Sequence, residues 1–122
     1  MPSVLVVDDS PVARRAVAGA LSAEGFDVQE IGTAAGARAL DASGFACAIL
    51  DLELGDGDGL ALAHELQARC PSLAVAFFTA GASPELVERS RAYGPVFRKP
   101  DLDPVVAWTQ RASRPPPQPS YR

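Results

Sequence analysis

The stretch CAILDLELGDGDG, residues 47–59, changes from apolar to acidic within a few positions. Its first four residues are continuously apolar, which is typical of a strand that helices cover on both faces of a parallel sheet. Asp51 follows at once, at the end of this run, where an unpartnered carboxylate is costly to hold. The stretch therefore predicts a parallel α/β fold with a functional carboxylate at the end of a buried strand.

The same alternation extends along the chain, because short apolar runs alternate with longer segments of helical period. Strands are predicted at 4–7, 26–31, 45–50, 73–78 and 96–97. Helices are predicted from Pro11 to a stop at Gly25, from a cap near Thr33 to about Ala42, from Leu60 to a stop before Pro71, from Pro84 to Tyr93, and from Leu102 to about Ala112. We therefore expect a flavodoxin-like, doubly wound, five-stranded parallel sheet of order 2-1-3-4-5 with helices on both faces.

The length of 122 residues limits the chain to one domain, which we assign to residues 1–112. The remainder, SRPPPQPSYR at 113–122, contains three consecutive prolines and cannot continue a helix or a strand. It is predicted to be an extended, disordered tail.

Composition excludes several function classes. The net charge of −4 argues against direct nucleic-acid binding. No apolar run approaches the roughly 18 residues that a membrane span needs, so we expect no membrane association and a cytoplasmic location. Cys47 and Cys70 are too few for a disulfide framework and are interpreted as plain thiols.

Polar residues follow the predicted strands in a consistent way. Asp8 and Asp9 follow the first strand, Asp51 the third, Thr79 the fourth and Lys99 the fifth. The carboxyl ends of parallel strands meet at one edge of the sheet. The crevice between the first and third strands is the expected ligand site of a doubly wound sheet.

Three carboxylates at one crevice repel one another, and a divalent cation relieves this repulsion. Carboxylate and carbonyl oxygens with several waters suit Mg²⁺. Lys99 is the single lysine among eleven basic residues, which indicates that a compact ammonium is needed there. With the Thr79 hydroxyl, these groups predict a phosphoryl-transfer site in which Asp51 is the nucleophile and becomes an aspartyl phosphate.

Four motifs carry a family resemblance: VVDDS at 6–10, ILDLEL at 49–54 with DG at 58–59, FFTA at 77–80, and RKP at 98–100. In this order the sequence resembles a receiver domain of the two-component response regulators, from Val4 to about Ala112. The resemblance implies that a histidine kinase or a phosphotransfer protein phosphorylates Asp51.

The resemblance also implies the roles of the other site residues. Asp9, Asp51 and the Glu53 backbone carbonyl would bind Mg²⁺, with Asp8 acting through a water. Thr79 and Lys99 would hold the phosphoryl group, and their movement would signal to a downstream protein through the fourth helix, fifth strand and fifth helix. We expect a single-domain regulator, a monomer or weak dimer, that catalyses only its own phosphorylation and dephosphorylation.

Two positions depart from the family pattern. Val96 stands three residues before Lys99, where the family usually has a tyrosine or phenylalanine, and Phe97 should face the other side of the strand. Gly55 replaces the usual proline four residues after the phosphoacceptor. The alternative function is therefore a pseudo-receiver that acts by constitutive protein contact without phosphorylation.

Other interpretations have weaker support. A haloacid-dehalogenase-type phosphohydrolase needs two aspartates two positions apart, whereas Asp8 and Asp9 are adjacent. The acids at 56, 58 and 65 match part of an EF-hand, but Leu54 stands where its first carboxylate is required. His64 has no partner at metal-ligand spacing and is assigned a surface or packing role. Arg14 and Arg15 are predicted to form a solvated face, or to contact a partner kinase.

Overall fold

The computed structural model describes residues 2–113, so the predicted tail lies outside the described residues except for Ser113. This part of the chain contains seven strands: β1 (Ser3–Val7), β2 (Asp27–Ile31), β3 (Cys47–Leu50), β4 (Glu53–Leu54), β5 (Gly57–Asp58), β6 (Ala74–Thr79) and β7 (Val96–Arg98). Five of them form a parallel sheet of order β2-β1-β3-β6-β7. This confirms the predicted doubly wound sheet. Its order is the predicted 2-1-3-4-5 when the hairpin strands β4 and β5 are left out of the numbering.

Residues 2–113 contain five α-helices: α1 (Pro11–Ala23), α2 (Ala34–Arg38), α3 (Gly59–Arg69), α4 (Pro84–Ser90) and α5 (Asp103–Ala112). The first four connect strands, and α5 follows β7. The first four begin at a side-chain cap, in which Ser10, Thr33, Asp58 and Ser83 accept backbone N–H groups. After α1, Gly25 adopts a φ of 92°, a left-handed conformation that glycine tolerates and that ends the helix as predicted. No helix within residues 2–113 is long and apolar enough to span a bilayer.

Alternate residues of the sheet face two separate hydrophobic clusters. On one face, Leu5, Leu50 and Phe77 pack with α2, α3 and α4. On the other, Val6, Ile49 and Phe78 pack with α1 and α5. The strands β1, β3 and β6 are buried on both faces, which explains their continuous apolar character. Their polar carboxyl ends are therefore held by a rigid, close-packed support.

Two predicted helices are too long. Helix α2 ends at Arg38, and a separate 3₁₀ turn follows at Ala42–Gly44. The Asp41 carboxylate accepts the Ser43 amide, which favours this new turn over continuation of α2. Helix α4 ends at Ser90 rather than Tyr93, because the amides of Arg91 and Tyr93 donate to carbonyls three residues earlier, at Glu88 and Ser90, instead of four.

The hairpin of β4 and β5 was not predicted. It projects between Asp51 and α3, with Glu53 paired to Asp58. Asp56 at its tip accepts the amides of Ala34 at 2.8 Å and Ala35 at 3.0 Å. The acidic part of the opening stretch is thus a hairpin anchored to the start of α2.

Candidate functional site: a carboxylate crevice at the strand ends

Two buried carboxylates lie side by side where β1 and β3 end. Asp8 is 3% exposed and Asp51 is 5% exposed, and the Asp51 amide donates to the carbonyl of Val7 at 2.9 Å. Lys99, which follows β7, reaches both residues. Its Nζ lies 2.9 Å from Asp8 Oδ2 and 3.1 Å from Asp51 Oδ2. The single lysine of the chain therefore bridges two of the predicted site residues.

The other oxygens of these carboxylates accept backbone amides from their own loops. Asp8 Oδ1 accepts the Ser10 amide at 2.9 Å, and Asp51 Oδ1 accepts the Glu53 amide at 3.1 Å. Such short turns are the usual use of aspartate at a loop start. Each carboxylate is thereby fixed in direction before any ligand arrives.

Burial and charge shift the protonation equilibria in this crevice. Burial raises the pKa of Asp8 above its usual 3.8, and the hydrogen bonds from Lys99 and Ser10 offset this only in part. Burial also opposes the charged form of Lys99, but its hydrogen bonds to Asp8 and Asp51 outweigh that effect, so its pKa lies above the usual 10.5. The crevice holds concentrated negative charge that one ammonium does not fully neutralise.

Asp9 completes a cluster that fits a divalent cation. Carboxylate oxygens of Asp8, Asp9 and Asp51 all lie within 4.8 Å of one another, and this is the one such cluster found within residues 2–113. The donors are hard oxygens, two of the three residues are buried, and Asp9 is exposed toward solvent. This set of hard oxygen donors fits Mg²⁺ with retained waters.

Thr79, the last residue of β6, contributes a hydroxyl to the same edge of the sheet. It is fully buried, and its Oγ1 is the one buried side-chain polar atom in the described part of the chain without a hydrogen-bond partner. Its carbonyl accepts the Lys99 amide at 2.9 Å, which ties the two residues together. A buried hydroxyl without a partner is costly unless a ligand uses it.

The family model described as the response regulator receiver domain matches residues 4–96. The chain belongs to this family. Receiver domains of two-component systems carry a phosphorylatable aspartate, bind Mg²⁺ at an acidic pocket, and act with histidine kinases or phosphotransfer proteins. The match confirms the resemblance inferred from the four motifs.

Solved structures agree with this fold. The non-phosphorylated receiver domain of HemR from Leptospira biflexa superposes with a TM-score of 0.82 at 24% identity, covering 99% of this chain and 100% of that one. The response regulator TrrA from Thermotoga maritima, solved with Mg²⁺ and a beryllium fluoride, gives 0.82 at 24% identity, covering 92% and 99%. At these identities the likeness supports the receiver fold.

A curated relative is similar in sequence over part of its length. The sensor protein TorS of Escherichia coli (strain K12) is 33% identical over 79 residues, which are 63% of this chain and 9% of that protein. This receiver domain thus corresponds to a small segment of a much longer signalling protein.

The receiver crevice contains the residues that the sequence nominated. The structure brings Asp8, Asp9, Asp51 and Lys99 together, and Thr79 ends the neighbouring strand. Glu53 lies in β4 with its side chain exposed and its amide on Asp51. The role of each of these residues in phosphoryl transfer and metal binding stays a prediction.

Residues outside the crevice have other partners. Asp56 and Asp58 cap α2 and α3, and His64 Nδ1 lies 3.1 Å from the Tyr93 hydroxyl. His64 and Tyr93 line a cleft of about 490 Å³ between α3 and α4, which includes none of the three clustered carboxylates. The EF-hand interpretation therefore has no support, and His64 has a packing contact.

Sequence reasoning missed one residue behind the crevice. Arg14 was assigned to a solvated face, but its guanidinium donates to the Asp8 carbonyl at 2.9 Å and is 18% exposed. Arg15 is exposed as predicted. Helical spacing places Arg14 in the first turn of α1, but nothing in the sequence shows that its side chain folds back over the preceding loop.

Proposed function

We propose that Asp51 of this receiver domain accepts a phosphoryl group from the phosphohistidine of a histidine kinase or phosphotransfer protein. A carboxylate oxygen of Asp51 attacks phosphorus as the phosphorus–nitrogen bond to histidine breaks. The main support is the placement of Lys99, whose ammonium contacts Asp51 Oδ2 and Asp8 Oδ2 together. A point charge at that position offsets charge that develops on the transferred oxygens.

The same proposal assigns the neighbouring groups. Asp8, Asp9, Asp51 and the Glu53 carbonyl would hold Mg²⁺, which supplies charge neutralisation for phosphoryl transfer. Thr79 would donate its unpartnered hydroxyl to a phosphoryl oxygen. Lys99 and Thr79 would then hold the modified Asp51, and this local change of charge would alter the surface formed by α4, β7 and α5.

The proposal extends to the cellular setting. The receiver domain covers residues 1–112, the only reaction that it catalyses is its own phosphorylation and dephosphorylation, and its target is a downstream protein. A cytoplasmic location belongs to the same proposal, because the kinases that form phosphohistidine use ATP.

The experiment that tests the proposal is phosphorylation with a small phosphodonor and Mg²⁺. Intact-mass measurement should show the addition of one phosphoryl group to the wild-type chain and none to Asp51→Asn. Asp56→Asn is the matched control, because it removes an acid from the same loop and should still gain the group. An unmodified wild type, or a modified Asp51→Asn, would contradict the proposal.

A second function is supported by β7. Val96 offers no aromatic ring that could change position when Asp51 is modified, so the domain could contact its partner constitutively. In that case, Asp51→Ala would leave partner affinity unchanged, whereas the phosphorylation-dependent function predicts that modification of Asp51 changes it. Affinity measured with and without the phosphodonor separates the two functions.

A further inference from the structure

The side chain of Arg14 contacts the backbone of the loop that carries Asp8 and Asp9, on the side away from the clustered carboxylates. Its Nη1 donates to the Asp8 carbonyl at 2.9 Å, and its Nε lies 3.4 Å from Glu30 Oε1 on β2. Gly32 lies beside the guanidinium, because a Cβ there would make a tight contact of 3.3 Å with Nη1. The ion pair with Glu30 therefore orients the guanidinium, and the absence of a side chain at Gly32 leaves room for it.

The hydrogen bond from Arg14 completes the fixation of Asp8. The Asp8 amide donates to the Ile31 carbonyl at 3.1 Å, and its carboxylate is held by Ser10 and Lys99. Its carbonyl belongs to the peptide that leads into Asp9. Since Arg14 holds that carbonyl, it fixes the plane of the peptide and the direction in which Asp9 leaves the strand.

Asp9 depends on its backbone more than the other two acids do. Within residues 2–113, no hydrogen bond or ion pair restrains its exposed carboxylate, whereas Asp8 and Asp51 each have two partners. A shift of the Asp8–Asp9 peptide would therefore move the Asp9 oxygens away from the cluster.

We propose that Arg14 is a positioning residue for the divalent-cation site: its hydrogen bond to the Asp8 carbonyl, oriented by Glu30, places the Asp9 carboxylate within reach of the cation. This inference rests on the metal site of the proposed function. It separates Arg14 from Arg15, although both had been assigned to one solvated face. Arg14 does not contact the cation or the phosphoryl group.

The sign of the effect distinguishes positioning from simple electrostatics. A guanidinium near three acids repels a dication, so its removal should strengthen Mg²⁺ binding if charge alone mattered. Loss of positioning instead weakens binding. Substitutions of groups that orient metal ligands typically cost metal affinity by about tenfold or more.

The test measures Mg²⁺ dissociation constants by calorimetry on the unphosphorylated full chain. Arg14→Met should bind about tenfold more weakly than wild type, and Arg15→Met, with the same charge change one residue away, should bind as wild type or slightly more tightly. Arg14→Lys should recover part of the loss, because an ammonium can reach the carbonyl but cannot bind Glu30 at the same time. Thermal unfolding without metal tests whether each variant is folded.

Gly32→Ala keeps the charge and covers the case in which Arg14→Met does not fold. Its methyl group would lie 3.3 Å from Arg14 Nη1, so the guanidinium must shift by a few tenths of an ångström relative to the Asp8 carbonyl. Mg²⁺ binding should weaken by about twofold, with no additional loss when Gly32→Ala is combined with Arg14→Met. The inference would be overturned if Arg14→Met bound Mg²⁺ as tightly as Arg15→Met or more tightly. If Arg14→Met does not fold, unchanged Mg²⁺ binding by Gly32→Ala would overturn it. Either result would leave the metal site itself in place. Absence of Mg²⁺ binding by the wild type would overturn the metal site and the inference with it.

Discussion

The crevice and β7 lie at neighbouring places on the sheet, but they differ in how closely they follow the receiver family. In the crevice, three acids, a threonine and a lysine stand at the expected strand ends, and four of the five form one contact group. In β7, Val96 packs on the α4 side and Phe97 on the α1 and α5 side. The aromatic ring is present but faces away from α4.

Under the proposed function, phosphoryl chemistry and signal output therefore depend on separate residues. The crevice needs fixed charges, which strand ends supply directly. A reporting strand needs a side chain with two favourable positions, and valine has a single stiff side-chain torsion. The following variants test this separation.

The largest effect is expected at Lys99. Lys99→Met leaves two buried carboxylates without their cation, so the free energy of unfolding at neutral pH without metal should fall by about 3 kcal/mol. Arg98→Met, one residue earlier and exposed, should change it little. Urea unfolding with and without Mg²⁺ gives the comparison. Mg²⁺ should stabilise Lys99→Met more than wild type, and equal losses in the two variants would contradict the role of Lys99.

A smaller effect is expected at the hairpin. The hydrogen bonds from Ala34 and Ala35 hold the pKa of Asp56 below its usual 3.8. A carboxyl group with a depressed folded-state pKa contributes stability above its unfolded pKa, and this is lost as pH falls through the folded value. The advantage of wild type over Asp56→Asn in urea midpoint should therefore shrink as pH is lowered below 3.8.

Thr33→Ala is the control for this hairpin measurement. It removes another cap of α2, in which Thr33 Oγ1 accepts the Gly36 amide, and it introduces no titrating group. The difference in urea midpoint between wild type and Thr33→Ala should not vary with pH over the same range. If both variants showed the same pH dependence, the effect would come from α2 and not from titration of the Asp56 carboxylate.

The smallest stability change is expected at Val96, which is half-buried. Val96→Tyr should change the free energy of unfolding by less than about 1 kcal/mol. It should nevertheless increase the amide chemical-shift changes that Mg²⁺ and beryllium fluoride cause in α4, β7 and α5. Val12→Tyr makes the same replacement at a valine that is 82% exposed on α1 and should leave those changes as in wild type. If Val96→Tyr and wild type showed the same chemical-shift changes, β7 would respond to the crevice without an aromatic ring at position 96.

The sequence predicted the sheet and the crevice because both depend on local signals. Apolar runs such as CAIL mark doubly buried strands, and an acid directly after such a run must lie at the sheet edge. The cap predicted near Thr33 is confirmed, because the Thr33 side chain accepts the Gly36 amide at the start of α2. These features require no knowledge of distant neighbours.

The errors concern features fixed by distant contacts. The hairpin consists of two-residue strands, too short for an alternating pattern, and Asp56 binds amides 22 and 21 positions earlier in the chain. The contact between Arg14 and the Asp8 carbonyl depends on Glu30 and on the space beside Gly32. Only the folded arrangement of β2 beside α1 brings these groups together.

The position of Lys99 has a practical consequence. Apart from the amino terminus, it carries the one amine in the sequence, so an amine-directed acylating reagent has a single side-chain amine to modify. Deprotonation must precede acylation, and contacts with two carboxylates disfavour it. The labelling rate of one peptide, followed by mass spectrometry, would therefore report when those carboxylates acquire another counterion. The protein contains its own chemical reporter of what occupies the crevice.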